Sequence, residues 1–309
     1  MSRALVFPGQ GAQYVGMGAE LSQRFPSARR LLDEADSVLG FALSDIMANG
    51  PEADLTRTDV SQPAILVASA MSLAVAGEAI RPLTCGAVAG LSLGEYSALY
   101  AAGALGFADA VRLVRLRGEA MQAAAEAVPS GMVVLIGADE ATAGTLCAEA
   151  AAGEVLTVAN LNCPGQVVIS GARGACARAI ELARKHGIRL AKPLPVAGAF
   201  HSPLMAPAAD RLKAALAAVT FKDPQWPVYA NVTAQAVTRA AAIPDLLVRQ
   251  LTSPVRFADS VLAMHGEGIR EFLELGPGKS LGAMISRTVK EAVCRNLDTP
   301  ADAQALAAG

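Results

Sequence analysis

Ser92 lies in Gly90-Leu91-Ser92-Leu93-Gly94, a Gly-x-Ser-x-Gly spacing. Residues 85–89 before it are short and apolar, as a buried strand would be, and 95–102 read as a helix stopped by Gly103. Strand, Gly-x-Ser-x-Gly, helix is the pattern of a nucleophile elbow. So sharp a turn needs positive φ values and close backbone approach, which glycine takes at low cost. The serine then sits at a helix N-terminus, where free N–H groups and the positive end of the dipole can meet an oxyanion. The competing reading is an ordinary turn with a polar cap; the flanking elements favour the nucleophile.

A serine nucleophile needs a base at neutral pH, and the chain has three histidines. His186 and His265 each directly precede a glycine at a predicted helix end, where imidazole interacts with the last carbonyls and the dipole. Both are read as structural. His201 instead lies in a loop, Gly198-Ala199-Phe200-His201-Ser202-Pro203, and elimination makes it the partner of Ser92. An imidazole also needs a group to fix its tautomer. No Asp or Glu is singled out for that, and a backbone carbonyl would serve as well.

Arg117 is the remaining chemical signal. Over a predicted helix at 108–124, Arg112, Arg115 and Glu119 share a polar face. Arg117 falls on the opposite side among Ala110, Leu113, Val114, Ala120 and Met121. A charge there requires an anionic partner. That partner is either a buried Asp or Glu in a structural salt bridge, or a substrate carboxylate gripped by the planar guanidinium fork. The helix alone leaves both open.

Several elements must position these groups. Residues 4–7 read as a buried strand running into Pro8-Gly9-Gln10-Gly11-Ala12-Gln13, a loop that could admit a ligand to the backbone. It lacks the dinucleotide fingerprint, and from the residues alone it is an ordinary turn with solvated Gln10 and Gln13. A helix is expected over 18–38, a break at Asn49-Gly50-Pro51, and a buried helix over 63–80. The uncharged run at 61–77 within it is better explained by burial than by a membrane.

Strands at 131–137, 154–160, 166–170 and 188–194 then alternate with helices at 139–150 and 173–186. This β-α-β-β-α-β order is the ferredoxin-like unit. It predicts a small subdomain at 129–195 inserted into a larger α/β subdomain formed by 1–128 and 196–309. The larger one resumes with helices at 206–218, 243–251, 257–265 and 280–290 and strands at 227–232 and 269–275. Pro277-Gly278-Lys279-Ser280 is not a phosphate loop, because Leu273 stands where its first glycine must be. The Ala-rich tail from Asp298 is expected to fray.

Composition sets outer limits. The 309 residues are 53% hydrophobic and 17% charged, which excludes a disordered chain. A formal net charge of −2 points to neither nucleic acid nor an anionic membrane as partner. The five cysteines are scattered and odd in number, arguing for a reducing compartment rather than a disulfide framework. No signal-peptide pattern opens the sequence, so a soluble, cytoplasmic protein is expected.

Taken together, the motifs resemble the malonyl-CoA:acyl carrier protein transacylases, within the acyltransferases of fatty-acid and polyketide synthesis. The resemblance rests on Phe-Pro-Gly-Gln-Gly-Ala-Gln at 7–13, Gly-Leu-Ser-Leu-Gly-Glu-Tyr at 90–96, Arg117 in Leu-Val-Arg-Leu-Arg-Gly, Gly-Ala-Phe-His-Ser at 198–202, Gln250 in Gln-Leu-Thr-Ser-Pro-Val, and Glu-Leu-Gly-Pro-Gly at 274–278. It covers nearly the whole chain, and in this order and spacing the motifs are specific.

The resemblance implies a hydrolase-like large α/β subdomain with a parallel sheet and an inserted ferredoxin-like small one. It implies Ser92 as acylated nucleophile, His201 as base and the main-chain carbonyl of Gln250 as its orienter. It further implies the N–H groups of Gln10 and Leu93 as oxyanion hole and Arg117 as the site for the malonyl carboxylate. The implied partners are malonyl-CoA and acyl carrier protein, acting on a monomer with no resident cofactor or metal. Position 91 is Leu where the commonest elbow has His, and Phe200 resembles malonyl-selective members rather than methylmalonyl users. The alternatives are an acyltransferase of a polyketide or malonate-decarboxylase pathway, a serine esterase or thioesterase, and an inactive scaffold that binds carrier protein.

Overall fold

The computed structural model describes residues 3–80 and 82–308. Its strands are β1 (Arg3–Phe7), β2 (Ala87–Gly90), β3 (Ser130–Ile136), β4 (Leu156–Cys163), β5 (Gln166–Ala172), β6 (Leu190–Pro193), β7 (Val228–Tyr229), β8 (Ala236–Val237), β9 (Glu271–Leu275) and β10 (Val293–Leu297). They form a six-stranded sheet in the order β10-β9-β1-β2-β7-β8 and a four-stranded sheet in the order β4-β5-β3-β6. The first is parallel except for the terminal β7–β8 pair. The second is antiparallel throughout, with helices Glu140–Ala151 and Arg173–Leu182 in the crossovers expected of a ferredoxin-like order.

Strand periodicity decides what the large sheet packs against. In β1, Leu5 and Phe7 face the cluster built on helix Thr58–Ala79, while Ala4 and Val6 face the one built on helices Phe257–Gly266 and Ser280–Thr288. With both faces covered, the central strands are apolar over Ala4–Phe7 and Ala87–Gly90, as parallel strands between helical layers must be. A separate cluster around Val133, Leu135, Leu146 and Ile169 forms the core under the small sheet. The small sheet meets the rest of the chain where β4 bridges to Val255, just before helix Phe257–Gly266: Leu161 donates to the Val255 carbonyl at 2.9 Å, and Val255 donates to that of Ala159 at 2.8 Å.

Several expectations need correction. The helix expected at 18–38 is two, Ala19–Arg24 and Pro26–Leu39, because Pro26 holds Phe25 extended (φ −119°, ψ 114°). The helix expected from residue 63 begins at Thr58, with Pro63 inside it. Proline cannot donate to the carbonyl four residues back, and Arg115 Nη1 takes the Asp59 carbonyl instead, at 2.7 Å. That helix is long and apolar enough to cross a membrane, but 83% of its apolar window is buried inside the protein. The tail does not fray. It forms a helix Pro300–Ala307 whose Thr299 and Asp302 make a capping box, and just before it the chain forms β10, to which the sequence reading gave no element.

Candidate active site

Ser92 stands between β2 and helix Gly94–Ala101. The glycines around it supply space rather than positive φ. A Cβ on Gly90 would lie 1.9 Å from the Gly94 carbonyl carbon, and one on Gly94 would lie 2.1 Å from the Phe7 oxygen. The positive φ of the turn, 52°, belongs to Ser92 itself. A non-glycine residue stays there only where its surroundings over-determine it. Asn231 provides that constraint. Its Oδ1 accepts from the Ser92 N–H at 2.7 Å, and its Nδ2 donates to the Gly90 carbonyl at 2.7 Å.

His201, also at positive φ (57°) and buried, brings Nε2 to 2.7 Å from Ser92 Oγ. Its Nδ1 lies 2.8 Å from the main-chain oxygen of Gln250. A carbonyl only accepts, so Nδ1 carries the proton and Nε2 is free to take the serine's. Burial, reinforced by the charge of Arg117 and opposed by the Gln250 carbonyl, pushes the imidazole down to about 4. The imidazole is therefore held in its neutral form at physiological pH. The other histidines pair with surface carboxylates, His186 with Glu149 at 2.8 Å and His265 with Glu291 at 3.2 Å, in keeping with a structural role.

Arg117 is buried, at 1% exposure, on helix Phe107–Ala127. Gly118 lets this helix approach the one beginning at Thr58, since a Cβ there would lie 2.6 Å from the Thr58 carbonyl oxygen. The guanidinium thereby reaches Gln62 Oε1 through Nη1 at 2.7 Å. Its Nη2 donates to Gln250 Oε1 at 2.9 Å and to Ser92 Oγ at 3.1 Å. These acceptors are neutral, and Nε has no partner among the described residues. Among the described residues no carboxylate oxygen lies within 4.0 Å of it, so the structural salt bridge left open by the sequence is not formed. Burial lowers its pKa, with Tyr96 and Glu95 working against that. The arrangement is a guanidinium short of an anion, in contact with the Ser92 hydroxyl.

The cleft in front of Ser92, about 260 Å³ in volume, is lined by Gln10, Leu91, Asn162, Val168, Phe200 and Met284 among others. Its walls come from both subdomains, and its size suits a small acyl group. Leu91, at the position that departs from the commonest elbow, adds apolar wall. Neither the Gln10 nor the Leu93 N–H donates to a protein acceptor among the described residues. Gln13 is more than a solvated side chain, as its Oε1 accepts from the Gly11 N–H at 2.8 Å and stiffens the loop.

A family model described as acyl transferase domain matches residues 4–306. The chain belongs to the acyl transferase family. This acyltransferase is 46% identical over 288 residues to the malonyl CoA-acyl carrier protein transacylase of Bacillus subtilis, covering 92% of this chain and 89% of that protein. It is 43% identical over 298 residues to the one from Salmonella typhimurium, covering 96% of each. The solved transacylase from Coxiella burnetii matches it with a TM-score of 0.96 at 38% identity, over 99% of this chain and 96% of that one. A malonyl-transacylase solved in complex with a type II polyketide acyl carrier protein matches with a TM-score of 0.95 at 39% identity, over 100% and 99%.

The acyltransferase site thus joins Ser92, His201, Gln250 and Arg117, with Gln10 at its mouth. Sequence reasoning missed Gln62 and Asn231, and gave Glu95 no role although it stands in a quoted motif. Gln62 could have been noticed as a polar residue on an apolar helix. Asn231 carries no local signal.

Proposed function

We propose that the enzyme transfers the malonyl group of malonyl-CoA to the phosphopantetheine thiol of acyl carrier protein, through a malonyl ester on Ser92. The observation that carries this reading is the buried Arg117, without a carboxylate partner and 3.1 Å from Ser92 Oγ. A carboxylate on the acyl group would satisfy it. Relatives named malonyl CoA-acyl carrier protein transacylase support the same substrates.

Ser92 Oγ attacks the thioester carbonyl while His201 Nε2 takes its proton. The tetrahedral oxyanion is received by the N–H groups of Gln10 and Leu93. Its collapse breaks the C–S bond, and His201 returns the proton to the departing CoA thiolate. The carrier thiol then gives its proton to His201 and attacks the seryl ester, and the released Ser92 oxygen recovers that proton. The Gln250 carbonyl holds the imidazole in the required tautomer throughout.

No resident cofactor enters this cycle, because the activating thioester arrives with the substrate. We assign the enzyme to fatty-acid synthesis in the cytoplasm, acting as a monomer. The same chemistry serves polyketide assembly, as the name of the structural relative solved with its polyketide carrier illustrates.

Intact-mass measurement after brief exposure to malonyl-CoA tests the intermediate. One malonyl adduct is expected, discharged by holo acyl carrier protein and missing from Ser92→Ala. An equal adduct on that variant would refute the assignment. Rapid discharge to free malonate without carrier protein would favour an esterase.

A further inference from the structure

Glu95 is the largest polar feature of the site that the transfer reaction does not use. It is 3% exposed and stands in the first turn of the elbow helix. Its Oε2 accepts from Gln250 Nε2 at 2.7 Å and from the Asn231 N–H at 3.1 Å. Gln250 is shared by both halves of the catalytic apparatus. Its main-chain oxygen meets His201, while its side-chain oxygen meets Arg117.

An amide side chain has a donor end and an acceptor end, and reversing it costs little unless its surroundings object. Around Gln250 Nε2 stand only acceptors: Glu95 Oε2, the Ser92 carbonyl at 3.0 Å and Asn231 Oδ1 at 3.3 Å. The orientation of Asn231 is itself fixed, by a main-chain donor on one side and a main-chain acceptor on the other. A reversed Gln250 would set its oxygen against three oxygens and its NH₂ against the Arg117 NH₂. Of the three acceptors, Glu95 is the closest and the only one that can carry charge, so it contributes the most to this preference.

We propose that Glu95 is a positioning residue for acyl selection: it holds Gln250 with its oxygen towards Arg117, and so aims the guanidinium at the acyl pocket. The inference rests on the malonyl-transfer reading above. It does not depend on Glu95 being ionised. Burial raises its carboxyl to about 7, against the opposing pull of Gln250, Asn231 and Arg117. With two N–H donors already on Oε2, a proton would reside on Oε1, and Oε2 accepts in either state.

The test is the ratio of kcat/KM for malonyl-CoA to that for acetyl-CoA. Partial unfolding lowers both constants by the same fraction and leaves the ratio alone, whereas a misdirected Arg117 penalises only the acyl group with a carboxylate. Glu95→Ala should lower the ratio by up to about tenfold, the usual worth of a buried hydrogen bond. Glu95→Asp, which withdraws the carboxylate by one methylene, should lower it as well. Glu95→Gln presents an acceptor oxygen at the same place and should restore it.

Gln250→Leu keeps the main-chain oxygen that His201 uses, so it tests the same link if Glu95→Ala does not fold. It should reproduce the fall, and combining it with Glu95→Ala should add nothing. A wild-type ratio in Glu95→Ala and Glu95→Asp, or in Gln250→Leu, would overturn the proposal. A wild-type enzyme with no preference for malonyl would instead overturn the functional reading on which it rests.

Discussion

Replacing Arg117 by Ala should convert a malonyl-selective enzyme into an indiscriminate one. In the free enzyme the guanidinium makes hydrogen bonds to Gln62, Gln250 and Ser92, all neutral, and its Nε makes none among the described residues. A malonyl carboxylate would replace weak partners by charge-assisted ones. Hydrogen bonds to charged groups contribute about 1.5–3 kcal/mol each, so a bidentate pair gives roughly 3–4 kcal/mol once the existing contacts are offset. That corresponds to about 10²–10³ in kcat/KM. Acetyl offers no carboxylate, so for it Arg117 is only a poorly solvated charge. Because Arg117 also donates to Ser92 Oγ, its loss will disturb the nucleophile for every substrate, and the informative quantity is again the malonyl-to-acetyl ratio. Arg117→Ala should lose malonyl transfer, keep or gain acetyl transfer, and bring the ratio down by that factor. Arg117→Lys should fall between, since one ammonium cannot span Gln62 and Gln250 as the fork does. Steady-state rates with both thioesters and one carrier protein supply the measurement. An unchanged ratio in Arg117→Ala would show that the guanidinium is structural and would remove the physical basis of malonyl selection.

His201→Ala should lower turnover by roughly two or more orders of magnitude, whereas His186→Ala and His265→Ala should alter stability with little effect on rate; the reverse outcome would refute the choice of base. The pKa of His201 is pushed from 6.5 down to about 4, so its contribution to stability is full above 6.5 and is lost as pH falls towards 4, where the unfolded chain binds the proton first. Because part of that depression comes from Arg117, neutralising Arg117 with a malonyl carboxylate should raise the imidazole. The acid limb for discharge of the malonyl-enzyme should therefore lie at higher pH than that for acylation of the free enzyme, and coincident limbs would refute the coupling. Thr299→Ala should cost about 1 kcal/mol by removing the cap of the last helix, read as a lower denaturant midpoint; no shift would mean that the tail is not part of the cooperative unit.

Ser92, His201 and Arg117 were legible because their signals are local. The elbow is a run of adjacent residues, the base emerges among three histidines from loop versus helix-end position, and the arginine betrays itself by falling on an apolar helical face. The order of the inserted subdomain was legible for the same reason, since strand and helix periods are written in the chain. The errors have two causes: a distant Arg115 takes the carbonyl that Pro63 cannot reach, and a local capping box of Thr299 and Asp302 orders a tail whose Ala-rich composition suggests fraying.

The sequence by itself determined which functional groups this acyltransferase has, because their identity and spacing suffice to pick out a candidate nucleophile, a candidate base and a buried cation in need of a partner. Only the tertiary structure decided how they are held. It puts the positive φ on Ser92 rather than on its glycines, leaves Arg117 without a carboxylate among the described residues, sets Gln62 and Gln250 on its guanidinium, and brings Asn231 and Glu95 to the Gln250 amide. Neutral amides and main-chain carbonyls that meet across 55 to 158 residues leave no periodicity and no charge pattern, so their contacts exist only once the parallel sheet and the helices around it have brought them together.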